Sequence, residues 1–249
     1  MKELLLICVI YNSYKELEAY MASICRAKRK SCNTNITVYI ADNSSQFQEV
    51  NIEKYPEINA YHVRFDNLGY MGAAQSVVNN MVDISYYDFL IISNVDILMD
   101  DLFIAKLESM DVPKYVGWIA PSIKSNYINR DKNPSILLRY PKWKLELLKL
   151  TYNSFVLPLY EKLYYNVKKQ KDEYKDLDIY AGHGSFFLFT RSFINNYPKL
   201  DYPIFLYGEE LYFAELNRKA GLKVRYIPSL IINDFEHVST SLIRRRQFK

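Results

Sequence analysis

The chain reads as an α/β protein: a Rossmann-like, mostly parallel sheet flanked by helices, with a helical insertion. Three observations predict this. Apolar, β-rich runs at 4–10, 36–41 and 89–93 alternate with segments whose apolar residues recur at helical spacing. The runs end on polar or acidic residues, Tyr11-Asn12-Ser13, Asp42-Asn43-Ser44-Ser45 and Asn94-Val95-Asp96, where open α/β sheets present their ligand crevice. The 249 residues, 49% of them hydrophobic, suffice for one large core, and no repeat, low-complexity tract or Gly/Ser linker divides them.

The elements follow in order. Residues 4–10 are expected as a central strand buried on both faces. Tyr11-Asn12-Ser13 breaks it, and Leu17, Tyr20, Met21 and Ile24 mark a helix over 14–27 with Asn12 or Ser13 near its cap. A second strand at 36–41 completes a βαβ unit and implies parallel pairing. A third strand at 61–65 leads through Asn67-Leu68-Gly69-Tyr70-Met71-Gly72 into a helix over 73–81, and a fourth spans 89–93. Asp100-Asp101 caps a helix running to about Met110, and a strand at 116–120 is closed by Pro121. From 139 to 175 apolar and aromatic residues, Trp143, Leu147, Tyr152, Phe155 and Leu163 among them, interleave with lysines, and Pro158 interrupts any single helix. The α/β pattern then resumes with a strand at 185–190, a helix over 209–220 ending at Gly221, and a strand at 223–227 stopped by Pro228.

Composition narrows the classes. A net charge of +4, from 32 basic and 28 acidic residues, gives no bulk argument for nucleic acid, and no such partner is expected. Cys8, Cys25 and Cys32 lack CxxC spacing and read as buried free thiols of a reducing compartment. No apolar run approaches the roughly 20 residues a spanning helix needs. The start, Met1-Lys2-Glu3 leading straight into a strand, lacks a signal-peptide pattern, so a cytoplasmic location is expected.

Several residues carry chemistry beside a plainer reading. Asp42 can accept hydrogen bonds from a nucleobase or ribose, and is equally a turn residue. The Asn67-Leu68-Gly69 turn can set backbone amides beside a phosphate, or simply open a helix. Asp96 follows a buried strand into the crevice as a metal ligand, with Asn94 where many such sites have a second acid. Glu209-Glu210 opens a helix, favoured there by the dipole, and one of the pair can be a general base. His183 sits between Gly182 and Gly184, which suits close backbone approach, and His237 lies near the end of the chain.

Taken in order, Val9-Ile10-Tyr11-Asn12-Ser13, Asp42-Asn43-Ser44-Ser45, Asn67-Leu68-Gly69-Tyr70, Ser93-Asn94-Val95-Asp96, Gly184-Ser185-Phe186, Tyr207-Gly208-Glu209-Glu210 and His237 with Ser241 resemble the family 2 glycosyltransferases of GT-A fold, particularly the bacterial rhamnosyltransferase-like branch. The resemblance covers nearly the whole chain. It implies one GT-A domain over 1–249, with a nucleotide-sugar half at 1–125, a helical insertion at 126–178 facing a membrane or partner, and an acceptor and catalytic half at 179–249. Tyr11, Asp42, Asn67, Gly69, Asn94 and Asp96 would bind the nucleotide sugar. Asp96 and His237 would hold manganese or magnesium. Glu210 would be the base, with Glu209 positioning the loop or acceptor, and His183 and Gly184 would lie on the acceptor side. Glu210 stands where the family usually has Asp.

The resulting expectation is an inverting transferase moving a sugar from a UDP- or dTDP-sugar to a glycan or lipid-linked acceptor in cell-surface polysaccharide synthesis. The lysine- and aromatic-rich stretch 139–175 and Arg244-Arg245-Arg246 would meet an anionic membrane surface peripherally, while burial of the segment's own apolar face or homodimerisation are the plainer readings. The alternatives are an inactive scaffold of the same fold and a nucleotidyltransferase; the latter normally needs a Gly/Lys-rich loop, which 4–13 lacks.

Overall fold

The first apolar run, Lys2–Ile10 (β1), lies between two parallel neighbours in a ten-stranded sheet. The structure is a computed structural model and describes residues 1–126, 130–141, 143 and 175–235. From Leu4 onward every residue of β1 is buried, as a strand covered on both faces requires. Helix α1 (Tyr14–Arg29) follows, buries Leu17, Tyr20, Met21 and Ile24, and delivers the chain to β2 (Thr34–Asp42). Then come β3 (Asn59–Arg64), α2 (Tyr70–Asn79), β4 (Phe89–Ser93), the short β5 (Ile97–Met99), α3 (Phe103–Ser109) and β6 (Val116–Ser125). The chain continues with β7 (Arg130–Asp131), β8 (Leu177–Ile179), β9 (Phe186–Thr190), α4 (Arg191–Asn196), α5 (Glu209–Lys219) and β10 (Lys223–Asp234).

The sheet order is β3-β2-β1-β4-β9-β6-β10-β5, with β7 on β6 and β8 on β10. β3, β2, β1 and β4 run parallel, as do β6 and β10, while β9 is antiparallel to β4 and β6. The sheet separates two apolar layers. One gathers Tyr20, Met21 and Ile24 of α1 with Phe103 and Leu107 of α3; the other gathers α2, Phe193 of α4 and Phe213 of α5 around Phe187, Phe189 and Trp118.

Three expectations change. Pro121 does not close its strand, because β6 continues to Ser125, and Pro228 lies inside β10. The two prolines meet at one irregularity: Ile227 pairs with Pro121, but the next pair is Ile231 with Ser122. A proline has no amide hydrogen to give the ladder, and a bulge is where that omission is tolerated. β5 is too short and too close to the polar exit of β4 to stand out in sequence; it pairs antiparallel with the end of β10. Cys8 and Cys25 are buried as expected, whereas Cys32 is exposed. Apart from Trp143, residues 142–174 of the expected insertion, and the tail from 236 with His237 and Arg244-Arg245-Arg246, lie outside the described residues.

Candidate functional site

Parallel strands fire their loops from one edge. The exits of β1, β2, β3 and β4 therefore share one end of the sheet, and β9, being antiparallel, brings the loop that precedes it to that same end. Hydrogen bonds link these loops into a circuit. Asn12 Nδ2 donates to Ser45 Oγ at 3.1 Å and the Asn12 amide to Ser44 Oγ at 2.8 Å, joining the first two exits. Buried Asn43 donates through Nδ2 to the Gly69 carbonyl at 2.9 Å and accepts the Leu68 amide at 3.0 Å. Gly69 has φ +75°, and a Cβ there would collide with the Phe205 carbonyl oxygen, so glycine lets the β3–α2 turn touch the loop before α5.

On the other side, the Asn94 amide donates to the Ser185 carbonyl at 3.0 Å, and the Gly184 amide donates to Glu210 Oε1 at 3.2 Å. An added Cβ on Gly184 would lie 2.8 Å from the Glu210 carboxyl carbon. His183 is fixed too: its amide donates to Asn133 Oδ1 at 2.9 Å, and its Nδ1 accepts the Ser185 amide at 3.2 Å, which leaves the proton of a neutral ring on Nε2.

The two glutamates differ. Glu209 is buried, and its Oε1 accepts the Tyr207 amide at 3.0 Å, holding the left-handed pair Tyr207 (φ 70°) and Gly208 (φ 92°) that starts α5. Glu210 points instead at the Gly184 backbone. Burial pushes its carboxyl above the ordinary value and the Glu209 charge adds to this, against the opposing pull of the Gly184 amide. A half-buried carboxyl held by backbone amides and made more basic than usual is suited to accept a proton.

Asp42 is sealed. It is 0% exposed, and its carboxylate accepts Tyr14 Oη at 2.7 Å, His62 Nε2 at 2.9 Å and the Ser44 amide at 2.8 Å. Burial pushes the carboxyl up, but the bonds from Ser44, Tyr14 and His62 outweigh it and hold the group below its ordinary value. Residues 46–50 lie across this unit, with the Gln46, Gln48 and Val50 amides bonded to Asn12 Oδ1, Tyr14 Oη and His62 Nδ1. Direct contact of Asp42 with a base therefore needs one of these bonds exchanged. Tyr11 and Asn67 are exposed at the crevice, Asn67 at φ 38°.

Asp96 and Asn94 are half-buried on either side of buried Val95, in the link from β4 to β5. The Asp96 carbonyl accepts the Phe235 amide at 3.3 Å, so the residue that follows β10, two positions before His237, lies against Asp96. Among the described residues no group of three or more His, Cys, Asp or Glu side chains forms a ready metal cage. One carboxylate at a crevice nonetheless suits magnesium or manganese, which keep waters and take diphosphate oxygens in place of a full protein cage.

Sequence reasoning did not find Tyr14, His62, Asn133 or Tyr70 as site residues. The first two clamp Asp42 from positions 28 and 20 residues away. Asn133, 1% exposed, lies 50 residues from the His183 it holds, and no local pattern signals such a pair. Tyr70 could have been suspected from its place directly after Gly69 at a helix entrance. An exposed apolar rim, Ile204, Phe205, Leu206 and Tyr207 with Leu68 and Leu211, lies along the loops leading to Glu210.

No protein-family model matches the chain, and no curated protein matches it in sequence. Solved structures do match. The chain superposes on Staphylococcus aureus TarS residues 1–349 in complex with UDP-GlcNAc with a TM-score of 0.62 at 10% identity, over 96% of this chain and 60% of that one. A second S. aureus TarS structure gives 0.59 at 12% identity, over 95% of this chain and 37% of that one. GalNAc-T7 with UDP, GalNAc and Mn2+ gives 0.55 at 12% identity, over 95% and 43%. The chain thus spans between 37% and 60% of these proteins' lengths. At such identities the likeness is one of fold, and the fold is GT-A, a large mostly parallel sheet flanked by helices, as in these glycosyltransferases.

Proposed function

We propose that this protein transfers a sugar from a nucleotide-diphosphate donor, UDP- or dTDP-linked, to a hydroxyl of a glycan or lipid-linked acceptor, with inversion at the anomeric carbon. One observation carries the reading: a half-buried glutamate of raised basicity, Glu210, is held by the Gly184 amide beside the crevice of a GT-A fold. Glu210 takes the proton of the acceptor hydroxyl as its oxygen forms a bond to the anomeric carbon. The bond from that carbon to the diphosphate breaks, and the nucleotide diphosphate leaves with the electron pair. Glu209 keeps the loop in register, and His183 and Gly184 face the acceptor side.

The donor lies along the exits of β1 to β4, with Tyr11, Asn67, Gly69 and Asn94 lining it and the Tyr14–Asp42–His62 unit beneath the base. A manganese or magnesium ion would take Asp96 as carboxylate ligand, with His237 as the second, and would supply Lewis-acid neutralisation of the leaving diphosphate. The apolar rim at 204–207 suits an acceptor with a lipid or sugar face. This reading places the protein in the cytoplasm, peripherally at the inner face of the membrane, in surface-polysaccharide synthesis of the rhamnosyltransferase-like kind.

The test is a thermal-shift titration of UDP and dTDP, each with and without manganese, on wild type and Asp96→Ala, followed by donor screening with Glu210→Gln as control. Stabilisation by one nucleotide and transfer lost in Glu210→Gln by about 10²–10⁴-fold are expected. If neither nucleotide stabilises the wild type at millimolar concentration, the transferase reading fails.

A further inference from the structure

Among the described residues, three buried side-chain polar atoms have no hydrogen-bond partner: Trp118 Nε1, Asn217 Oδ1 and the Tyr70 hydroxyl. The first two belong to the packed layer behind the site, Trp118 against Phe187 and Asn217 beside Gly117. Tyr70 is different, because it is the first residue of α2, directly after the Gly69 that touches Phe205. The charges of Glu209, Glu210 and Asp96 all act on its hydroxyl. Other buried tyrosine hydroxyls are partnered, Tyr20 with Ser93 at 2.9 Å, Tyr180 with Glu215 at 2.7 Å and Tyr226 with Asp131 at 2.9 Å. Burial first, and then the neighbouring carboxylates, keep the Tyr70 phenol protonated far above its ordinary range. It is therefore a donor with nothing to donate to, a condition that destabilises the free protein and that a ligand can relieve.

The chemistry of the surroundings selects the ligand group. A phosphate oxygen is anionic and is repelled by Glu209 and Glu210, which have no proposed cation to offset their charge. A sugar hydroxyl is uncharged; it can accept from the phenol and donate its own proton to a carboxylate. We propose that the Tyr70 hydroxyl binds a hydroxyl group of the sugar carried by the donor, and so helps determine which sugar is transferred. This rests on the glycosyl-transfer reading above and adds to it a residue that reads the sugar, apart from those that read the nucleotide.

Tyr70→Phe removes one oxygen and leaves the ring in place. Calorimetric binding of UDP, UDP-glucose, UDP-galactose and UDP-N-acetylglucosamine, and of the dTDP counterparts, would be compared between wild type and Tyr70→Phe, beside thermal unfolding without ligand. The expected result has three parts. The unfolding midpoint stays or rises, the bare nucleotide binds equally, and the preferred sugar nucleotide weakens about 10-fold, the worth of one uncharged hydrogen bond. A lowered midpoint would show that the hydroxyl already has a partner in the free protein and would overturn the proposal. Equal weakening of bare nucleotide and sugar nucleotide would move the contact to the diphosphate and overturn it as well. Wild type that binds, with Tyr70→Phe unchanged, sinks this proposal alone; wild type that binds no nucleotide sinks the transferase reading and this proposal with it.

Discussion

Gly184→Ala tests the proposed role of Glu210 as base separately from the stability of the fold. An ideal Cβ at 184 lies 2.8 Å from the Glu210 carboxyl carbon, whereas carbon atoms in ordinary contact stand about 3.5–4.0 Å apart. The carboxyl group must therefore retreat by about 1 Å, breaking its 3.2 Å bond from the Gly184 amide. The obstacle is the end of a flexible side chain rather than backbone, and Gly184 does not lie at positive φ, so the fold accommodates the methyl at little cost, about 1 kcal/mol or less. Catalysis does not accommodate it, because a base misplaced by about 1 Å loses on the order of 10²-fold in rate. The assay is release of nucleotide diphosphate from the donor identified by screening, with KM, kcat and the unfolding midpoint measured side by side. A fall in kcat of about 100-fold, with donor KM and midpoint nearly unchanged, is expected. The amide bond opposes the upward shift of the Glu210 carboxyl, so its loss should also move the acid limb of the pH–rate profile to higher pH. Wild-type kcat in a folded Gly184→Ala would refute the idea that this amide sets the base.

Other outcomes follow from the same bonds. Asn133→Ala leaves the half-buried His183 amide and the Pro121 carbonyl without their partners, so unfolding free energy should fall by about 2–4 kcal/mol in denaturant titrations, with kcat falling alongside. Glu210→Gln should raise the unfolding midpoint at pH 7 and lose that advantage near pH 4. A carboxyl whose folded pKa is raised favours the native state at low pH and opposes it once ionised, and differential calorimetry at the two pH values checks the sign. Glu215 behaves oppositely: its hydrogen bonds from Arg139, offset by burial and joined by those of Tyr180 and Arg218, hold its carboxyl at about 2. Its stabilisation is present above the usual glutamate range and fades as pH falls toward 2. Glu215→Gln should thus cost about 1 kcal/mol at pH 7 and nothing in strong acid.

Much of this architecture was legible in the residue pattern, for a physical reason. Strands such as 4–10 and 89–93 are buried on both faces, so nearly every side chain reports burial, and their polar exits mark the crevice. What escaped depends on partners far along the chain. Pro121 and Pro228 read as strand ends because their tolerance comes from lying at one bulge between β6 and β10. The orientation of β9 is set by pairing with β4 and β6, which no local composition encodes. The two glutamates were visible as a pair, but only the approach of Gly184, 26 residues away, distinguishes the one that faces it from the one that anchors Tyr207. Asp42 was equally visible, yet its burial beneath 46–50 follows from Tyr14 and His62 closing over it.

The attachment of the stretch between Tyr140 and Asp176 has an evolutionary consequence. Arg139 on one flank and Tyr180 on the other both bind Glu215 of α5, and Ile136 bridges Ala181 just inside them. Both described flanks of the stretch are therefore anchored to α5, the helix that begins with Glu209 and Glu210. Whatever lies between can be lengthened or shortened in evolution with the sheet and Glu210 left in register.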